Sequence, residues 1–308
     1  MWISHEAKRN QSHKAPNLFQ SLGAQSHLLF WMGIIFACAG ILAVSSRLHA
    51  QVKNPAETAR VRAMGGASYA FLNIQDSLYQ NPAVMAFEEF YSINASVVSD
   101  DNDQDAYVFS AVDGSAELFA GGFGYLKNES RKRLDFSASD NLAKNIALGF
   151  GVTHWDEFQN EESLTSLRVG SLYVGSFFTA GLGFSGLVGD ADRLNRAVDL
   201  GVSFFTPRIV TASLSAKIPL ESEEPGETLG EDLRGGLEFD LSQGFALRAG
   251  YRRNELSANY DAITYGAGWR APKISFDFAF EDQESLDESL SADLRENPTS
   301  SFSMTIFF

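Results

Sequence analysis

The sequence predicts an all-β fold, a transmembrane antiparallel barrel of about fourteen strands (twelve at the fewest). Three observations predict it. Short stretches alternate apolar and polar side chains, the connections between them alternate long and short, and the last stretch ends on an aromatic residue. Successive side chains of a strand point to opposite faces. In 301–308, Phe302, Met304, Ile306 and Phe308 therefore share one face, and Ser301, Ser303 and Thr305 the other. Outer-membrane barrels end this way, with the last strand closing against the first. A terminal strand of a soluble domain is the plainer reading of this stretch alone.

The membrane argument rests on the whole series of strands. Beyond the first fifty residues no stretch is apolar for the ~20 residues that a spanning helix requires. A closed barrel is the other solution, because it leaves no backbone group unpaired in lipid. Strands are expected at 91–98, 106–112, 117–125, 133–139, 145–154, 164–174 and 177–187. Seven more are expected at 196–205, 208–218, 232–241, 245–252, 260–269, 273–280 and 301–308. The clearest is the stretch in which Ile274, Phe276, Phe278 and Phe280 oppose Ser275 and Asp277.

Short connections (175–176, 206–207, 242–244, 271–272) alternate with long polar ones (156–163, 189–195, 220–231, 281–300). Barrels of this kind have short periplasmic turns and longer external loops. A soluble sandwich has no reason to sort its loops so. An even strand count puts both ends of the barrel on the periplasmic side. Tyr107, Tyr125, Trp155, Tyr173, Tyr251, Tyr260 and Trp269 lie near strand ends, where interfacial girdles belong. The β-propensity of aromatic residues accounts for part of that pattern.

Residues 1–50 read as a cleaved secretory signal. Lys8, Arg9 and Lys14 make a basic start, 28–44 is an uncharged apolar run, and Ala50 supplies the small residue before the cut. An uncleaved anchor is the rival, although the run is short for a span. Cys38 falls within the signal, so no disulfide or thiol chemistry is expected. Loss of this segment removes Lys8, Arg9, Lys14, Arg47 and Glu6, which moves the formal charge from -15 to -18. A surface so acidic repels nucleic acid.

No catalytic constellation is present, and no cofactor or metal is expected. His154 is the sole histidine after residue 50 and stands beside Trp155 at a strand end, a place for an interfacial residue rather than a base. The run 101–105 imitates the start of a calcium loop, but Ala106 occupies the position that needs glycine. A solvated acidic loop is the simpler reading. Weak divalent bridging to lipopolysaccharide phosphates is the alternative.

Inward-facing charges are the better lead: Arg168, Asp199, Lys217, Arg234, Glu238, Arg248, Arg252 and Asp277. Both signs occur, which suits pairing with an internal segment better than ion selectivity. Gly121, Gly122 and Gly124 crowd the third strand and mark a candidate bulge or kink. Between 51 and 89, strand character is weak. Gly65 and Gly66 permit tight backbone paths there. Pro82 fixes its own φ and biases Asn81 toward an extended form, making a firm corner before the wall.

The run 62–67 (Arg-Ala-Met-Gly-Gly-Ala), then Asp76 and Asn81-Pro82-Ala83, resembles the N-terminal region of the FadL-type outer-membrane transporter superfamily, nearest its PorV/PorQ-like members. Later pieces agree in order: 199–202, 235–239, 247–251, 265–269 and 277–280. The resemblance spans about 59–308 and divides the chain into signal 1–50, hatch 51–89 and barrel 90–308. It implies a fourteen-stranded barrel with the hatch folded inside. A kinked third strand, here Gly121 to Gly124, would open sideways into the membrane.

Transporting members pass hydrophobic compounds, whereas secretion-associated members handle protein cargo. The chain is shorter than the fatty-acid transporters and has no long apolar loop for surface capture, which points away from fatty acids. The expected function is passive, hatch-gated passage of small hydrophobic compounds. The alternative is a PorV-like scaffold or secretion component that binds a secreted or surface protein. Further expected partners are outer-membrane lipid, lipopolysaccharide and, through Phe308, the barrel-assembly machinery. A soluble periplasmic β-protein is the third possibility.

Overall fold

The structure, a computed structural model, describes residues 56–100, 105–116, 118–129, 131–157, 162–188, 196–206, 209–220, 230–256, 259–285 and 298–308. The expected signal, residues 51–55 of the expected hatch, the acidic run 101–104 and the loop runs 221–229 and 286–297 lie outside the described residues.

Fourteen strands follow one another around a closed ring. The first seven are β1 (Tyr91–Asp100), β2 (Ala106–Asp113), β3 (Ala120–Lys127), β4 (Arg131–Ala143), β5 (Ile146–Glu157), β6 (Glu162–Val174) and β7 (Phe178–Ser185). The rest are β8 (Ala197–Phe205), β9 (Val210–Pro219), β10 (Asp232–Asp240), β11 (Phe245–Asn254), β12 (Tyr260–Ala271), β13 (Ile274–Ser285) and β14 (Thr299–Phe307). Each strand is antiparallel to both neighbours. β14 closes on β1 with Val97 opposite Phe302 and Ser92 opposite Phe307. Closure pairs the edges that an open sheet would leave bare.

The burial pattern decides which solvent surrounds the ring. Phe109, Phe136, Phe150, Leu247, Ile263, Phe278 and Phe302 are exposed on the outside. Their strand neighbours Ser110, Asp135, Ser137, Thr264, Asp277 and Ser303 are buried on the inside. A soluble domain does the reverse, and exposed apolar area on this scale belongs against lipid. No helix among the described residues is long and apolar enough to cross a membrane.

Sequence and structure differ at the upper, long-loop rim. β4 begins at Arg131, β5 runs to Glu157 and β6 starts at Glu162, so half of the polar stretch expected as the loop 156–163 is strand. β13 likewise continues to Ser285, which places Glu281 and Gln283 inside the ring and not in an external loop. Hydrogen-bonded pairing outlasts the apolar band, and above it polar residues mimic a loop.

Residues 56–90 precede the wall. They form a short helix α1 (Ala59–Arg62), a second turn of helix α2 (Ile74–Ser77) and a 3-10 turn over Pro82–Phe87. These pieces are too short to persist alone and hold through what they touch. Nearly every residue from Ala56 to Met85 is buried, with contacts on strands all around the ring. The Ala59 N–H donates to Ser303 Oγ at 2.7 Å. Ser96 on β1 donates to that same hydroxyl at 2.8 Å, so one β14 side chain joins the seam to the segment inside it.

Candidate functional site

Alternation alone carries one polar row per strand into the bore. All eight lumen charges expected from the sequence occupy inward-facing positions. Asp199 and Lys217 stand opposite each other on β8 and β9. The others fall into clusters, and in two of these the N-terminal segment contributes a charge.

Near the short-turn end, Arg60 donates from Nε and Nη2 to the two oxygens of Glu238, at 2.9 and 2.7 Å. Arg248 donates to the same Glu238 at 2.6 Å and lies 2.8 Å from Asp277. Nearer the long-loop end, Asp232 accepts paired bonds from Arg234 and from Arg252. Glu57 lies 3.0 Å from Arg234 and 3.7 Å from Arg252. Arg62 donates to Glu281 at 2.8 Å.

These clusters balance only with the segment in place. Without Glu57, Arg234 and Arg252 share one carboxylate. Without Arg60, Glu238 and Asp277 share one guanidinium, and without Arg62, Glu281 has lost its cation. A buried charge stripped of its partner is costly, so the wall and the segment specify each other.

A fourth cluster holds the segment through a carbonyl. Arg133 grips Asp135 with two bonds, and Arg168 donates to Asp135 and to Thr153. Arg168 also donates to the Leu78 carbonyl, as does Ser137. Two guanidiniums on one carboxylate leave a positive excess, which the exposed lone pairs of that peptide oxygen partly absorb.

The wall is recessed where the segment lies against it. A Cβ at Gly250 would sit 2.2 Å from the Gly65 nitrogen, and one at Gly236 would sit 2.4 Å from the Met64 oxygen. A Cβ at Gly149 would meet the Ala83 nitrogen at 2.5 Å, and one at Gly170 would meet Asn81 Oδ1 at 2.2 Å. Gly65 and Gly66 themselves turn with φ of 66° and 78°, the left-handed region that favours glycine. Asn81 is extended, as its following proline requires. Its amide donates to the Tyr69 and Ser171 carbonyls at 2.9 and 3.1 Å, and its oxygen caps the Ala83 N–H. Asn81-Pro82-Ala83 thus shapes the corner and ties it to β6.

Two expectations are corrected. β3 is paired without a register shift along its length, to β2 from Gly121 and to β4 from Ala120, so its glycines mark no bulge. Gly122 and Gly124 make room for Leu78 and Tyr79 of the segment, and Gly121 faces outward. Of the expected girdle, Trp155 and Tyr260 face the bore. Arg131 and Arg133 stack on the Trp155 ring at 4.8 and 4.6 Å, and Arg252 lies over Tyr260 at 5.8 Å. Cation–π contact and parity with the buried Thr153 and Ala262 account for both placements.

No family model matches the chain, and no curated protein does. Solved structures do. The monoaromatic hydrocarbon channel CymD is 12% identical, with a TM-score of 0.62 over 80% of this chain and 96% of its own. The toluene transporter TodX of Pseudomonas putida is 11% identical, with a TM-score of 0.60 over 85% of this chain and 99% of its own. A FadL homologue of Pseudomonas aeruginosa is 12% identical, with a TM-score of 0.54 over 85% and 99%. The chain has the FadL-type barrel fold. Within that FadL-type wall, the paired charges and glycine recesses described above are this chain's own residues.

Proposed function

We propose that this protein is an outer-membrane barrel for the passive passage of small hydrophobic compounds, with residues 51–89 acting as a hatch. The observation that carries this reading is the matching of charge between segment and wall: Glu57, Arg60 and Arg62 each supply the sign that the bore lacks. Charges neutralised in this way lock a closure and do not line an ion path. The barrels of similar fold that conduct monoaromatic hydrocarbons and toluene suggest the class of cargo. On this reading residues 1–50 are the export signal, and Phe308 is offered to the assembly machinery.

Uptake of a labelled monoaromatic hydrocarbon by liposomes carrying the purified barrel tests the proposal. Uptake above that of protein-free liposomes supports it. Uptake equal to theirs, for the wild type and for a variant whose segment is loosened, refutes it.

The close fit of segment to wall favours a second reading. Backbone meets backbone at Gly236 and Gly250, which suits a permanently filled barrel. Such a barrel is a PorV-like scaffold for a secreted or surface protein. Stoichiometric capture of one surface protein, together with no uptake, would select it.

A further inference from the structure

The segment inside the ring divides at Gly65 and Gly66 into two halves that rest on different walls. The first, with α1, is tied to β10, β13 and β14 through Arg60, Arg62 and Ala59. The second, with α2 and the 3-10 turn, lies against β1 to β6. Asp76 of α2 fastens one half to the other. It accepts from the Thr58 N–H at 2.7 Å and from the Thr58 hydroxyl at 2.6 Å. Asn73 Nδ2 donates to it as well, at 2.5 Å. The bond from Gln80 to Glu57 also joins the halves but is longer, 3.4 Å.

Asp76 is 1% exposed, and it differs from the other buried carboxylates among the described residues. Each of the others, from Glu57 on Arg234 to Glu281 on Arg62, lies within 3.0 Å of a guanidinium. Asp76 has no cation in that range. Arg60 acts on it from farther off and is committed to Glu238, while Glu57 adds a like charge. Tyr79 feels its charge as well. The buried side chains of β1 and β2, on which α2 packs, are serine, asparagine, alanine and valine, and the 3-10 turn holds no charged residue. A buried carboxylate without a cation favours its neutral form. Burial pushes the Asp76 carboxyl up to about 7, with the Thr58 bonds pulling the other way. The 2.6 Å contact with Thr58 Oγ1 serves either state, the hydroxyl donating to the carboxylate or accepting from the acid.

We propose that Asp76 is a proton-controlled clasp between the two halves of the segment, firm while it carries a proton and loosened when it ionises. Released into water, an aspartate titrates near about 4. The docked group titrates higher, so its contribution to docking is full below about 4 and is lost as pH rises to about 7. The clasp presupposes that the segment acts as a hatch, and supplies that hatch with a trigger.

Hydrogen exchange of amides 57–64 in the purified barrel, corrected for the intrinsic rate at each pH, follows the docking. Wild-type protection is expected to fall by up to about tenfold per pH unit between about pH 4 and pH 7, and then to level off. Asp76→Asn is expected to show no such fall. Thr58→Val removes one donor to the charge, so its levelling should move to higher pH. Equal pH dependence in the wild type and Asp76→Asn would overturn the proposal, as would wild-type protection that stays constant. If Asp76→Asn fails to dock, an unmoved levelling point in Thr58→Val overturns it instead. Liposome uptake is scored separately. Docking that follows pH without uptake supports the clasp and refutes passage, and uptake with docking indifferent to pH does the reverse.

Discussion

Arg60 and Glu238 stand 178 positions apart in the chain, yet guanidinium and carboxylate meet in a two-pronged pair with bonds of 2.9 and 2.7 Å. Glu238 has a second guanidinium on it, and its side chain is 2% exposed against 17% for Arg60. Glu238→Gln is therefore expected to be worse than Arg60→Ala, costing about 3–5 kcal/mol of segment docking. The double variant should cost less than the sum of the singles. Protease susceptibility of residues 56–89 in the folded barrel reports the docking.

The glycine recesses make a paired prediction. Gly250→Ala drives a methyl group into the Gly65 backbone and should weaken docking by about 1–3 kcal/mol. Gly121→Ala meets nothing nearer than 3.7 Å and is expected to be neutral. Labelling of a cysteine placed in the segment distinguishes the two. Equal labelling of both variants would contradict the packing described for the bore.

Asn81→Ala removes the donor to Tyr69 and Ser171 and the cap on Ala83. Leaving two buried carbonyls and one N–H with fewer partners should cost about 1–3 kcal/mol. Early proteolysis near the corner, with the ring still intact, is the expected result. Asn81→Asp keeps the cap but loses the donor, so it should recover only part of the loss.

On the outer face, Phe278 lies midway along β13 and is 49% exposed. Phe278→Arg is expected to destabilise insertion by about 2–4 kcal/mol, the cost of a cation near the bilayer midplane. Urea titration in liposomes measures it. The opposite substitution class, polar to apolar on the inside (Ser303→Val), should act on segment docking instead, because it removes the acceptor of the Ala59 N–H.

Most of the wall was legible because a strand's period of two writes lipid and lumen into alternate letters. Parity put Arg248, Arg252 and Asp277 inside, and the structure has them there. It also held the correction for Trp155, which shares parity with the inward Thr153. Nearness to a strand end, read as a girdle, outweighed that signal. Glu281 was hidden because polar alternation above the apolar band resembles a loop. Glu57, Arg60 and Arg62 could not be read at all. Their segment has no periodicity, and each partner lies over 170 residues away, where only three-dimensional closure brings it near. The glycines of β3 illustrate the converse: small residues were visible, but not that Leu78 and Tyr79 would fill the space beside them.

The joining of Ala59 and Ser96 to the one hydroxyl of Ser303 has a consequence for biogenesis. The earliest-made part of the described chain finds its resting place on the strand made last. Until β14 arrives beside β1, the inner segment lacks part of its berth. Sealing the ring and seating its contents thus become a single late event, and a chain stalled before its final strand would betray itself by a loose beginning.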